Sequence, residues 1–276
     1  MMNLNIDDDV RDAEDILNES LAFLGGQPVI DDSVVNYGPL SLQIAPKEGK
    51  ANTLLADHLF SPALYLAERI ERGLLPVRNS TVIELGAGTG LPSLLMASIP
   101  QHPSLVVVTD YPDEHILGNL RKNVDHNRRS FQPGCNVQCA GFEWGTDAGP
   151  LLKMLPAEDE SNRGYDVMIL SDLLHFHASH DVLIASIESL LRRSKDARVH
   201  VSAGKYTHRN VCDEFLLKGQ VAGLSFEEID GSVEEVGWKG TMTVAGLDKD
   251  SLAIATRFIR RGIPTWVGKQ GCHSRR

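Results

Sequence analysis

Three glycines alternate in Leu85-Gly86-Ala87-Gly88-Thr89-Gly90-Leu91-Pro92, directly behind the largely apolar run Val82-Ile83-Glu84-Leu85. Glycine is needed where a backbone turns sharply and a ligand must approach it within contact distance. Glu84, two residues before the first glycine, is within reach of a ligand's ammonium group. A dinucleotide loop of the G-x-G-x-x-G type wants glycine at 91, where this chain has leucine; starting the register at Gly88 puts Ser93 in the last place. Asp110 ends the next apolar run, Leu105-Val106-Val107-Val108-Thr109. A carboxylate there can accept hydrogen bonds from both hydroxyls of a ribose. Tyr111 and Trp144, the latter in Gly141-Phe142-Glu143-Trp144-Gly145, offer flat faces suited to an adenine ring. A fourth apolar run, Val167-Met168-Ile169-Leu170, delivers Ser171 and Asp172 beside whatever occupies the glycine loop. His175, His177 and His180, with Asp172 and Asp181, have a spacing that can chelate a metal. The stretch joins a strand to a helix, where histidines also cap, line pockets or orient substrates, and no metal ligand is assigned.

These residues must be held by the elements around them. Strands are expected over 81–85, 105–109, 137–140, 167–170 and 199–203. The continuously apolar Val106-Val107-Val108 and Val167-Met168-Ile169-Leu170 suit strands buried on both faces. Helical spacing follows in Ile116, Leu117, Leu120 and Val124 behind a capping Asp113, in Leu183, Ile187, Leu190 and Leu191, and in Val211, Phe215 and Leu216. An earlier helix opens at Ser61-Pro62 and closes at Gly73. Strand–helix alternation implies an α/β fold with a doubly wound parallel sheet, which binds its ligand at the carboxyl ends of its strands.

Composition narrows the function. The 276 residues are 42% hydrophobic and carry 37 acidic against 27 basic side chains, a formal charge of −10. That is a globular balance, and its acidity disfavours broad nucleic-acid binding. No apolar run approaches the ~20 residues of a membrane span. Asp7-Asp8-Asp9 is the reverse of a signal peptide's basic start, so the expected location is intracellular, in the cytoplasm. Residues 1–20 hold seven carboxylates and one arginine, whereas residues 257–276 hold six Lys/Arg and no acid. Cys135, Cys139, Cys212 and Cys272 form no C-x-x-C pair and read as small buried thiols.

In this order, Glu84-Leu85-Gly86-Ala87-Gly88, Thr109-Asp110-Tyr111, Trp144-Gly145 and Leu170-Ser171-Asp172 resemble the seven-β-strand S-adenosylmethionine-dependent methyltransferases. More narrowly, the chain resembles their lysine methyltransferase branch, in particular a fungal nicotinamide N-methyltransferase-like group. That group includes enzymes that methylate the N-terminal region of translation elongation factor 1A. The likeness runs over roughly residues 54–230 and takes in residues 119–124, His177 and His180-Asp181. It implies a Rossmann-like class I methyltransferase fold with a seven-stranded sheet. The implied organisation is an N-terminal extension over 1–50, a methyltransferase domain over 51–268 and a basic tail over 269–276.

By this resemblance Gly86, Ala87 and Gly88 hold the methionine end of S-adenosylmethionine, Asp110 the ribose and Trp144 the adenine. Ser171 lines the same pocket and Asp172 faces the acceptor amine. Where the family has a Leu-Trp pair closing over the cofactor, this chain has Leu59-Phe60, which keeps an aromatic lid without the indole N–H. His175-Phe176 replaces a common Phe-Asn, and Gly204-Lys205-Tyr206 replaces a paired-histidine segment. The implied activity is N-methyl transfer to a protein lysine or N-terminal amine, with an elongation factor as one candidate partner. A small amine metabolite of the nicotinamide kind is the alternative acceptor. A protein that holds the cofactor without transferring methyl is the third reading. The N/D/S-P-P-Y/F motif of enzymes that methylate planar amino groups is absent, which disfavours nucleobases and glutamine side chains. Roles for His175 and Tyr206 stay open.

Overall fold

The computed structural model describes residues 34–156, 163–204, 206–227, 238–245 and 263–266. The acidic start Asp7-Asp8-Asp9, the basic tail, Lys205 and Cys272 lie outside them. The first elements are strands β1 (Val34–Tyr37) and β2 (Leu40–Gln43), then helices α1 (Gly49–Thr53) and α2 (Ser61–Glu71). Strand β3 (Thr81–Leu85), helix α3 (Leu91–Ser98), strand β4 (Leu105–Asp110), helix α4 (Glu114–Asn127) and strand β5 (Asn136–Gly141) follow. A short helix α5 (Gly149–Leu152) leads to β6 (Val167–Ser171), α6 (His180–Leu190), β7 (Arg198–Ser202) and α7 (Arg209–Val221). Strands β8 (Leu224–Glu227) and β9 (Ile263–Trp266) complete the described elements.

The strands line up in the order β5-β4-β3-β6-β7-β9-β8. The first five run parallel; β9 pairs antiparallel with β7, and β8 pairs antiparallel with β9. Each expected strand and helix lies where its pattern placed it, with ends shifted by a residue or so. The alternation along each strand explains the unbroken apolar runs. Val82, Val106, Val108, Val167 and Ile169 face one hydrophobic cluster, and Ile83, Val107, Met168 and Leu170 face the other. Helices cover both clusters, so neither face of the sheet can carry polar alternation. The chain runs outward from β3 to β5 and then returns to β6 on the other side of β3. That reversal opens a crevice at the carboxyl ends of β3 and β6.

Local signals fix the helix ends. Pro62 sits in the first turn of α2, and Gly73 beyond its end has φ +70°. The Asp113 side chain accepts a 2.9 Å hydrogen bond from the His115 amide at the start of α4. None of the helices among the described residues is long and apolar enough to cross a membrane. Cys135 and Cys139 are half-buried against the same cluster, and burial pushes both thiols up to about 11.

The β1–β2 hairpin lies inside the stretch expected as an extension, where no element was expected. Val35, Tyr37, Leu40 and Leu42 alternate inward about Gly38 (φ +52°) and join the first cluster. Its outer edge is met by side chains. Asn119, Asn123 and Asn127, spaced four apart on α4, act as a surrogate strand. Asn119 Nδ2 and Asn123 Nδ2 each donate to the Gln43 carbonyl at 2.8 Å, and Asn123 Oδ1 accepts from the Gln43 amide at 2.7 Å. Asn127 makes the equivalent pair with Ser41 at 2.8 and 2.9 Å. Replacing the buried Asn123 by Ala strands the Gln43 amide, at an expected cost of ~2 kcal/mol. Melting should drop by several degrees in Asn123→Ala; an unchanged melting temperature would show that the Asn123 bonds add nothing to the hairpin's stability.

Candidate active site

The turn after β3 is built on left-handed backbone, which favours glycine. Gly86, Gly88 and Gly90 have φ of +59°, +55° and +81°. A Cβ on Gly86 would fall 2.7 Å from Leu173 Cδ2, whereas one on Gly88 would meet nothing within 4 Å. Gly88 therefore presents bare backbone to open space. The loop is tied to β4 through the Ala87 amide, which donates to the Thr109 carbonyl at 2.9 Å. The Gly88 amide donates to Asp110 Oδ2 and the Tyr111 amide to Asp110 Oδ1, both at 2.7 Å. Each carboxylate oxygen keeps acceptor capacity for a ligand. Burial pushes the Asp110 carboxyl up to about 6 against the pull of those two amides.

A cavity of about 260 Å³ opens above this loop. Gly86, Ala87, Gly88, Asp110 and Tyr111 line it from the β3 and β4 side. Ser171 and Asp172, at the tip of β6, line it as well, with Phe60 and Trp144 from loops. Nine of the ten residues singled out from the sequence thus meet in one place. Glu84 is the tenth, and it stands behind the loop, off the cavity wall. It shares the β3 face of Val82, which α3 covers, and its Oε2 accepts the Ser93 amide at 3.2 Å. Its Oε1 is buried without a partner, and burial pushes the carboxyl up to about 8. A folded carboxyl above its unfolded value holds an extra proton, so stability falls as pH rises from about 4.5 to about 8. The Asp110 and Asp172 carboxyls are raised by burial too, so below about pH 8 the Glu84 share of the fall is the part that Glu84→Gln removes. There the slope should reach up to ~1.4 kcal/mol per pH unit in denaturant titrations and flatten in Glu84→Gln. A slope unchanged by the substitution would assign it elsewhere.

Asp172 follows β6 with φ +62°, a left-handed conformation that aspartate and asparagine tolerate better than most residues. Its Oδ1 accepts the Gly204 amide at 3.2 Å and its Oδ2 accepts the Tyr206 hydroxyl. Burial raises its carboxyl pKa, opposed by His175, the Tyr206 hydroxyl and the Gly204 amide. Burial also drives the Tyr206 phenol well above its ordinary range, with Asp172 adding to the shift. Ser171 Oγ is buried without a hydrogen-bond partner.

The three histidines diverge. His175 lines the cavity, and burial lowers its pKa against the pull of the Asp172 carboxylate and backbone. His177 is exposed. His180 is buried, with Nε2 2.8 Å from the Leu174 carbonyl and its ring edge-on to Phe215 at 5.2 Å. Trp144 is half-buried and packs edge-on against Phe176 at 5.8 Å. Sequence reasoning missed Leu55, Ala56 and His58, which residues 54–60 bring to the wall beside Phe60. It also missed Val182, which α6 contributes.

A family model described as lysine methyltransferase matches residues 48–217. A Gibberella zeae protein named protein N-terminal and lysine N-methyltransferase EFM7 is 38% identical over 156 residues, 55% of this chain and 58% of that protein. A Kluyveromyces lactis protein of the same name is 31% identical over 201 residues, 64% of this chain and 73% of the relative. Among solved structures, a methyltransferase from Pyrococcus furiosus aligns with a TM-score of 0.46 at 16% identity, covering 74% of this chain and 83% of that one. The match to the first relative spans little more than half of its length. With a family match over residues 48–217, the chain belongs to the lysine methyltransferase family.

Proposed function

We propose that this chain is a cytoplasmic S-adenosylmethionine-dependent N-methyltransferase whose acceptor is a protein lysine or N-terminal amine. One observation carries the reading. A single cavity joins a glycine loop and a ribose-type carboxylate, Asp110, to a second carboxylate, Asp172, across the β3–β6 crevice. The residues fit the cofactor: Gly88 offers unobstructed backbone, Asp110 has acceptor capacity left on both oxygens, and Ser171 Oγ awaits a partner. Gly86, Ala87 and Gly88 would take the methionine end, Asp110 the ribose hydroxyls, and Trp144 with Tyr111 the adenine. Phe60 would close over them. When bound, the cofactor supplies a methyl group already activated on a sulfonium. The chain's own task is therefore alignment of an attacking nitrogen and exclusion of water. Asp172 would orient that amine and offset the positive charge that develops on it.

The relatives' names, which specify N-terminal and lysine methylation, support a protein acceptor. The net charge of −10 suits a basic partner such as a translation elongation factor. Labelled S-adenosylmethionine incubated with the full chain and fractionated lysate tests this. Label should enter a protein at a lysine or N-terminal amine. Label confined to the small-molecule fraction would make the chain a metabolite methyltransferase. Cofactor binding with no labelled product would make it a binding protein.

A further inference from the structure

The segment between α1 and α2 brings a second acid–base pair to the cavity. His58 Nδ1 lies 2.8 Å from Asp57 Oδ1. The Asp57 side chain is wholly buried and its Oδ2 has no partner, while the His58 side chain keeps 19% exposure and lines the cavity. A buried carboxylate against Nδ1 selects the tautomer with hydrogen on Nδ1 and leaves Nε2 as an acceptor. Ring contacts connect the imidazole to Asp172, which lines the same cavity. His58 packs on Phe60 at 5.7 Å, Phe60 on Tyr206 at 6.1 Å, and the Tyr206 hydroxyl bonds Asp172.

The other titratable residues on the cavity wall are Asp110, Tyr111, Glu143, Asp172 and His175. Asp110 already holds the Gly88 and Tyr111 amides, and both Asp172 oxygens accept hydrogen bonds. His175 has no carboxylate hydrogen-bonded to either ring nitrogen. His58 alone among them combines an oriented acceptor, a buried counter-charge and a solvent-facing edge. We propose that His58, oriented by Asp57, takes the proton from the acceptor's ammonium group before methyl transfer. This rests on the reading of the chain as an amine methyltransferase.

The step balances. The N–H pair stays on nitrogen as the proton passes to His58 Nε2. The freed lone pair then forms the nitrogen–carbon bond while the carbon–sulfur pair returns to sulfur. The proton leaves His58 for water at the exposed ring edge.

Two measurements on the full chain test it. The first is the pH profile of kcat/KM on the acceptor that takes label. His58→Gln should be slower by ~10²-fold near pH 7 and approach the parent as pH nears the amine's own pKa, where the amine is already neutral. Added imidazole should restore part of the loss. Asp57→Ala should lose rate as well with the imidazole still present, because no carboxylate then holds the hydrogen on Nδ1. The part of the pH dependence that His58→Gln removes is the part that the proposal assigns to His58. Affinity for S-adenosylhomocysteine and melting temperature should hold in His58→Gln. A rate that does not change, or one that falls in parallel at every pH together with affinity, overturns the proposal. The second measurement needs no acceptor. Nitrogen NMR of the complex with S-adenosylhomocysteine should show His58 with hydrogen on Nδ1 in the parent and a loss of that preference in Asp57→Ala. A parent ring with hydrogen on Nε2 overturns the proposal. If the tautomer is as expected and no acceptor is ever labelled, it is the amine-transferase reading that fails, taking this step with it.

Discussion

Asp172→Asn should lower methyl transfer at least ~10²-fold while leaving the fold and the affinity for S-adenosylhomocysteine close to the parent's. The substitution is chosen for the backbone. Asparagine tolerates the φ of +62° that Asp172 holds, where a β-branched or bulky residue would be strained. The Asn oxygen can still accept the Gly204 amide, and its amide group can donate to the Tyr206 oxygen in place of the bond that Tyr206 now gives. The local network is rearranged without being emptied. What disappears is the negative charge opposite the amine. A packing role for Asp172 would behave differently: melting temperature and cofactor affinity would fall together, since the carboxylate ties β6 to Gly204 and Tyr206. Single-turnover transfer to the labelled acceptor separates the two. An Asn variant that turns over at the parent's rate removes Asp172 from the chemistry.

Fold and site were legible to different depths, and the difference has physical causes. Strands β3, β4 and β6 announce themselves because each is buried on both faces, so their apolar runs need no knowledge of partners. Helices α2 and α4 carry their own end signals in Pro62, Gly73 and Asp113. The β1–β2 hairpin has a fainter signature, two four-residue strands alternating about Gly38-Pro39. Half of what holds it lies some 80 residues away in the asparagines of α4. Asn119, Asn123 and Asn127 at four-residue spacing look like a polar helix face until a strand edge is laid against them.

The cofactor side of the cavity follows from strand tips. The turns after β3, β4 and β6 converge at one end of the sheet once the strands are parallel, so Gly86, Asp110 and Asp172 were findable before any coordinates. Glu84 was read toward that cavity from its distance along the chain. Strand alternation turns it instead under α3, and only the register of β3 against its neighbours reveals which face residue 84 occupies. Asp57 and His58 carry no local mark at all. An Asp-His dipeptide in a loop reaches the site only because residues 54–60 line the cavity, with ring contacts running from His58 through Phe60 to Tyr206. The histidines at 175, 177 and 180 show the converse: close in sequence, they point to the cavity, to solvent and to the Phe215 core.

Asp110→Ala should weaken S-adenosylhomocysteine binding at least tenfold, because each charge-assisted hydrogen bond to a ribose hydroxyl contributes ~1.5–3 kcal/mol. Part of the loss would come from the loop itself, since the same carboxylate holds the Gly88 and Tyr111 amides. Asp110→Asn separates the contributions. It keeps an oxygen for one amide but replaces the other acceptor with a donor, which repels hydroxyl hydrogens. The parent's pH dependence gives a third handle. With the carboxyl raised to about 6 by burial, the ligand-free site holds a proton below that pH and is charged above it. Ribose hydroxyls donate to the charged form and lower its pKa in the complex, so binding releases a proton around pH 6. Affinity should therefore fall by up to ~10-fold per unit as pH drops below about 6, the change expected when one proton must leave. Calorimetry in buffers of different ionisation enthalpy reads that proton directly, and in Asp110→Ala it should vanish. Parent-like affinity in the Ala variant would take Asp110 out of the site, and tight NADH binding by the parent would overturn the cofactor assignment as a whole.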